Sequence, residues 1–303
     1  MNTNMKKFLM MSLALTLAVM AQAQVKISPR MVKGMKMVYT SDTKTETMGK
    51  TIRATSELEY EVAEANAKGC TVNITMTKMD TKGGDKMTSM MLSMTQQMLK
   101  GVTIGILTDK EGKVNGVKNF NDVKKRCADV LGKIVDELYK ENPQMTAVMP
   151  KDKMIMDATS NMNADELLKG VAMTPTSALA LNGMTIRNLS QDTYVNAQNI
   201  PMKRTFFVTN GGKTITTNSE SYMTKEETKA YILKQVEQTM PDQVETVRQG
   251  LDAMIASGLM KVEAKEKVIY EMQDNGWMRS ADMTSEINMM GQKIKIAAKV
   301  SLK

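Results

Sequence analysis

Residues 51–62 read TIRATSELEYEV, and their alternation decides the fold. Ile52, Ala54, Ser56, Leu58, Tyr60 and Val62 fall on one side, Arg53, Thr55, Glu57, Glu59 and Glu61 on the other. Successive side chains of an extended chain point to opposite faces, so this period predicts a strand with one dry and one wet face. Beyond the turn-like ANAKG, the run CTVNITMTK continues the pattern with Cys70, Val72, Ile74 and Met76 inward, which closes a hairpin. Upstream, MKMVYTSDTKTET supplies a third strand around a Met48-Gly49 turn.

The same reasoning extends along the chain. VTIGILTDKEGKVNGVKN predicts another hairpin, with Gly112 suited to a positive φ. Phe120, Val123, Cys127, Val130, Ile134 and Leu138 recur at steps of three and four, the stripe of an amphipathic helix stopped before Pro143. Asn163 with Glu166 caps a short helix through Leu167, Leu168 and Val171. Strand patterns return in GMTIRNLSQDTYVNA and in KRTFFVTNGGKTITTNSESYM, the latter folded at Asn210-Gly211-Gly212. Thr224 and Glu227 form a capping box for a helix carrying Ala230, Leu233, Val236 and Met240 inward. Pro241 kinks or restarts it, and Val244, Val247, Leu251, Met254 and Ile255 continue the apolar stripe to a stop at Gly258.

Three strands close the chain: KVEAKEKVIYEM, WMRSADMTSEINM and KIKIAAKVSL, joined at Asn275-Gly276 and Met290-Gly291. TETMGKTIRATSEL and EINMMGQKIKIAAKVSL echo one another, each a strand, a Met-Gly turn and an alternating strand. The expected fold is α+β: a curved, mostly antiparallel sheet, open or a half barrel, covered by four or five helices. Residues 24–303 are expected to form one integrated domain, with any half-to-half boundary falling between 143 and 183.

The ends bound the location. Lys6 and Lys7, an apolar run to Met20 and the small-x-small Ala21-Gln22-Ala23 read as a secretory signal peptide over residues 1–23, cleaved after Ala23. The expected mature chain is periplasmic or secreted, has no cysteine at its start for a lipid anchor, and has no later run of the roughly 20 apolar residues that a membrane span needs. Removing the two signal-peptide lysines from +8 leaves +6, a mild preference for acidic partners such as lipid headgroups. Lysine and arginine are scattered, without the clustering that nucleic acid requires.

Histidine is absent, which removes the commonest general base and metal ligand and excludes Ser-His-Asp and HExxH chemistry. Glu57, Glu59 and Glu61 lie on a regular wet strand face, unlike the opposed pair of a glycosidase. No cofactor, metal or catalytic set is read from the sequence, so a non-enzymatic protein is expected. Trp277, the single tryptophan, follows a turn and is expected to anchor the core.

Methionine is the compositional anomaly, at 33 residues. MTSMMLSMTQQML at 87–99 holds Met87, Met90, Met91, Met94 and Met98, at the spacing of one broad helical stripe. Thioethers at MxxM spacing suit copper(I), yet tight sites usually add His or Cys. The plainer reading packs the stripe against the sheet. The functional reading makes these five methionines the adaptable wall of a pocket for a lipid or other apolar ligand. Cys70 and Cys127 both sit on inward faces as buried thiols, or pair in an oxidising compartment and close a long loop worth about 4 kcal/mol.

KGMKMVY, the TDKEGKVNGVKN hairpin leading into a helix, Gly276-Trp277 and the alternating C-terminal strand together resemble uncharacterised exported proteins of Bacteroidetes-type Gram-negative bacteria. That resemblance implies location and architecture and carries no site residues. The curved sheet with covering helices is also loosely similar to periplasmic lipoprotein carriers, from which the long helical part after Thr224 departs. The expected function is binding of an apolar or amphipathic ligand in the cell envelope. The alternative is a structural component that meets an envelope protein partner.

Overall fold

The computed structural model describes residues 24–84, 100–141, 143, 144, 146, 150–160, 162–239, 241–257, 261–289 and 291–303. The alternating stretch 51–62 lies within β3 (Lys50–Asn66), paired antiparallel with β2 (Lys36–Thr47) and β4 (Gly69–Gly83). Met48 and Gly49 both adopt positive φ, the backbone of the tight turn read from the sequence. β5 (Thr103–Asp109) and β6 (Val114–Val117) complete an N-terminal meander around Gly112, whose φ is 88°.

The second half forms the matching meander. It runs through β8 (Gln191–Val195), β9 (Pro201–Thr209), β10 (Thr214–Ser221), β11 (Val262–Met272), β12 (Met278–Met289) and β13 (Gln292–Leu302). β13 pairs with β2, so one antiparallel sheet of 11 strands runs β6-β5-β4-β3-β2-β13-β12-β11-β10-β9-β8. The sheet is curved and open. The two Met-Gly hairpins that echo in sequence lie side by side at its centre.

A small second sheet pairs β7 (Thr185–Arg187), within the expected strand run GMTIRNLSQDTYVNA, with β1 (Gln24–Lys26), which has no counterpart among the strands expected from the pattern. The chain leaving it packs over the Asn275-Gly276 turn. A Cβ on Gly276 would lie 2.9 Å from Pro29 Cα, so only glycine admits this approach. Trp277, fully buried, donates from Nε1 to the Arg30 carbonyl at 3.0 Å and anchors the core as expected.

Among the described residues five helices cover the inner face. α1 (Phe120–Glu141) buries Val123 and Cys127 against the sheet, and α2 (Lys151–Ser160) packs on its later turns. On α1 the buried stripe includes Leu131 and Val135, while Val130 is only half-buried. α3 (Ala164–Val171) starts at the expected cap, where Asn163 Oδ1 accepts from Glu166 N at 2.8 Å. α4 (Lys225–Thr239) and α5 (Val244–Ala256) form a hairpin inserted between neighbouring strands β10 and β11. α4 keeps Leu233 and Val236 on the packed side as expected, but it is rotated enough that Thr228 and Ile232 are buried and Ala230 is exposed. Burying a branched chain removes more apolar area from water than burying a methyl, which sets the rotation.

Two apolar clusters result. The larger joins Tyr39, Tyr60, Val72, Ile106, Trp277 and the helices α1 and α3, and the smaller joins Ile200, Met202, Ile232, Leu251 and Ile287 beneath α4 and α5. One register row separates them. Asp192, Arg204, Ser219, Glu266 and Ser285 stand directly opposite one another across β8 to β12, all on positions that the strand pattern turns inward.

Candidate functional site

The inner face leaves one partly enclosed apolar cleft of about 180 Å³ beside the larger cluster. Its floor is Leu58 and Tyr60 on β3, Ile74 and Met76 on β4, and Val102 with Ile104 at β5. Ser41, Ser56 and Val300 form one flank, and the end of α3 with Thr174, Thr176 and Ser177 forms the cover. The period of two puts Leu58, Tyr60, Ile74 and Met76 on the same face, and the register sets Leu58 beside Met76 and Tyr60 beside Ile74. Burial pushes the Tyr60 phenol upward, and its hydroxyl faces Ser177 and the Ala178 backbone. Among the described residues the floor is therefore neutral, and the cover contributes hydroxyl groups.

On the opposite, wet face of the sheet, the same stretch at Ser41 and Ser56 backs an open hollow of about 590 Å³ that contains Lys78, Lys100 and Lys299 with Asp42, Glu57 and Asp80. Its carboxylates are occupied. Arg53 forks onto Asp42, Lys82 stands 3.3 Å from Asp80, and Glu57 meets Lys303 at 2.9 Å and Lys78 at 3.3 Å. The Lys303 ammonium, then Lys78 and Thr77, hold the Glu57 carboxyl down to about 2. Glu57, Glu59 and Glu61 thus serve solvated ion pairs, the latter two with Lys36.

The polar row between the clusters is the second unusual arrangement. Asp192 accepts a two-pronged pair from Arg204 at 2.9 and 2.6 Å, and the guanidinium stacks over Tyr194 and Phe206 with centroids at 4.9 and 4.6 Å. Tyr194 donates to Glu266 at 2.7 Å. Burial raises the Glu266 carboxyl above its ordinary 4.5, against the Tyr194 hydrogen bond and the Arg204 charge. Burial alone would lower Arg204, but Asp192 outweighs it and holds the guanidinium charged. Each charge here has a partner, while the buried Ser219 hydroxyl in the same row makes no hydrogen bond among the described residues, so the row is a charge-paired seam with one polar group left open.

Met87, Met90, Met91, Met94 and Met98 lie outside the described residues. The segment's downstream end is described: Lys100 bridges Met76, and Gly101 N donates to the Met76 carbonyl at 2.8 Å, which sets Val102 into the cleft. Cys70 is a half-buried free thiol on β4 and Cys127 a buried one on α1, and burial raises both. Among the described residues no group of three or more His, Cys, Asp or Glu side chains could hold a metal ion, and no helix is long and apolar enough to cross a membrane.

The sequence pattern placed Leu58, Tyr60, Ile74 and Met76 inward without identifying a cleft among them. Nothing in the pattern marked Val171, Thr174 or Ser177 as its cover.

No protein-family model matches the chain, and no curated protein matches it by sequence. Among solved structures, one described as lipid-protein interactions in lipovitellin is similar over 90% of this chain at 8% identity, with a TM-score of 0.45. The chain spans 25% of that lipovitellin chain. A domain described as an outer membrane lipoprotein-sorting protein, from Vibrio parahaemolyticus, is similar over 88% of this chain and 85% of its own, at 7% identity and a TM-score of 0.30. A porin-like protein from Bacteroides uniformis is similar over 91% of this chain and 99% of its own, at 11% identity and a TM-score of 0.17. All three TM-scores lie below 0.5, so these similarities carry no functional argument.

Proposed function

We propose that the chain is an exported, non-catalytic protein that binds an apolar or amphipathic ligand in the cell envelope. The observation that carries this reading is the cleft over Leu58, Tyr60, Ile74, Met76, Val102 and Ile104, an apolar floor that the described helices leave partly uncovered. Ligand sites are concave, mostly apolar and carry few polar groups, and this cleft has that character. At about 180 Å³ it is smaller than the roughly 300–1,000 Å³ of pockets that take a whole drug-sized molecule. It suits one segment of a chain-like ligand with the remainder outside.

Displacement of a fluorescent fatty acid, read beside native mass spectrometry of the protein, tests the proposal. Val171, at the cover, is half-buried, so Val171→Trp should fill the cleft while leaving the sheet intact. The expected result is stoichiometric binding that the variant weakens at least about tenfold, a difference of about 1.4 kcal/mol. Absence of binding by the natural chain, or equal binding by the variant, would overturn the reading and favour a structural role with a protein partner.

A further inference from the structure

We infer that the tip of the β2–β3 hairpin docks on an anionic bilayer surface, with Met48 entering the headgroup layer and lysines of the adjoining strands meeting the lipid phosphates. Four described non-glycine residues have positive φ. Asn199 and Asn210 are of the type that tolerates this backbone; Met48 and Leu189 are not. Leu189 sits in a bulge, where its N donates to the Phe206 carbonyl and Phe206 N donates to the Ser190 carbonyl. Met48 instead occupies a two-residue turn with positive φ at both positions, for which Asn-Gly is the favoured pair. Its side chain is 70% exposed, the most of any large apolar residue among those described, and a Cβ on Gly49 would meet nothing within 4 Å. Nothing in the described fold offsets the cost of a methionine there.

The neighbouring strands supply the charge. Thr47 stands opposite Lys50 on β3 and Ile294 on β13, so exposed Lys50 and exposed Lys293 flank Met48 on its two sides. From the rungs Lys44-Arg53 and Thr284-Ala297 outward, the two central hairpins carry Lys44, Lys50, Arg53, Lys293 and Lys295 against Glu46 and Glu286. Arg53 is paired with Asp42 one step further in, and Lys82 with Asp80 on β4. Both glutamates already lie among lysines: Lys44 at 2.6 Å and Lys295 hold the Glu46 carboxyl below its ordinary value, and Lys293 at 2.6 Å and Lys295 do the same at Glu286. The surplus at this end is therefore positive. An apolar tip among lysines is the make-up of an interfacial anchor, in which the apolar group enters the headgroup boundary and the ammonium groups meet phosphates. Leu58, where the cleft floor begins, is eight residues along β3 from Lys50, roughly 26 Å away, so the tip is separate from the cleft.

Flotation of the full mature chain with vesicles of phosphatidylcholine alone, and of phosphatidylcholine and phosphatidylglycerol in equal parts, tests this. The chain should bind the anionic vesicles at least about tenfold more tightly than the neutral ones. Met48→Asn suits the turn, so its melting temperature should equal or exceed that of the natural chain while its affinity for anionic vesicles falls about tenfold. Lys50→Gln/Lys293→Gln should lose the preference for phosphatidylglycerol. Val171→Trp, altered only at the cleft, should float as the natural chain does. No flotation with anionic vesicles, equal flotation of Met48→Asn, or a phosphatidylglycerol preference that survives the lysine variant would overturn the docking assignment and leave the cleft reading standing. Loss of flotation in Val171→Trp would also overturn it, by tracing vesicle binding to the cleft.

Discussion

Glu266 shows how much a single side chain can set against its surroundings. It occupies an inward position of β11 between Ala264 and Val268, both buried, and burial raises its carboxyl above 4.5. In the window from 4.5 up to the raised value the folded chain holds a proton that the unfolded chain has released, so stability falls as pH rises through it. The groups that face it are Tyr194, Arg204, Ser219 and Tyr270, with Asp192 behind the guanidinium. Glu266→Gln keeps an acceptor for Tyr194 and removes the charge. Urea unfolding should show the variant level with the natural chain near pH 4 and more stable at pH 8; the same difference at both pH values would mean that Glu266 is not titrating in the seam. The signal was present in the sequence as a charged residue in the dry register of KVEAKEKVIYEM, and Arg204 in PMKRTFFVT is its counterpart. Pattern alone reads each as an irregularity, because their pairing across strands depends on a register that no local stretch contains.

At the scale of elements, caps and turns govern where the helices begin. Thr224 N donates to Glu227 Oε2 at 2.7 Å and Glu227 N donates to Thr224 Oγ1 at 3.2 Å, the reciprocal box that the sequence announced. Thr224→Ala should cost about 1 kcal/mol, the usual loss of an N-cap. Because α4 and α5 are an insertion between two strands that still pair with each other, the loss should speed amide exchange in the helical hairpin while β10 and β11 keep their protection. Uniform loss of protection across the sheet would show the hairpin to be coupled to it. Rotation of α4 was less legible than its start: period placed Ala230 inward, but the bulk of Ile232 and its place over Ile200 and Met202 decided the face. β1 was invisible for a different reason. Three residues pair with three others 160 positions away, too few for a periodic signal.

The whole molecule depends on one pairing. β13 lies between β2 and β12, and Ile294, Ile296, Ala298, Val300 and Leu302 turn toward the helix-covered face. Removing residues 290–303 exposes two long unpaired edges in the middle of the sheet and uncouples the meanders. The truncated chain should lose its cooperative melt and become protease-sensitive in both halves, followed by circular dichroism and limited proteolysis; a single native-like transition would show that the halves fold without the central strand.

What the sequence determined by itself was the alternation of its strands, the turns at Met48-Gly49, Gly112 and Asn275-Gly276, the two helix caps and the α+β class, since each depends on residues within one turn or one strand of each other. Tertiary structure decided the rest: the β2 to β13 pairing that makes one sheet, the polar seam from Asp192 to Ser285, and the cleft where β3, β4, β5 and β13 meet the end of α3. These join residues far apart in the chain, as Tyr39 and Leu302 are in the β2 to β13 pairing and Ser41 and Val300 at the cleft. Register and packing place them together, and neither is a property of any local stretch of chain.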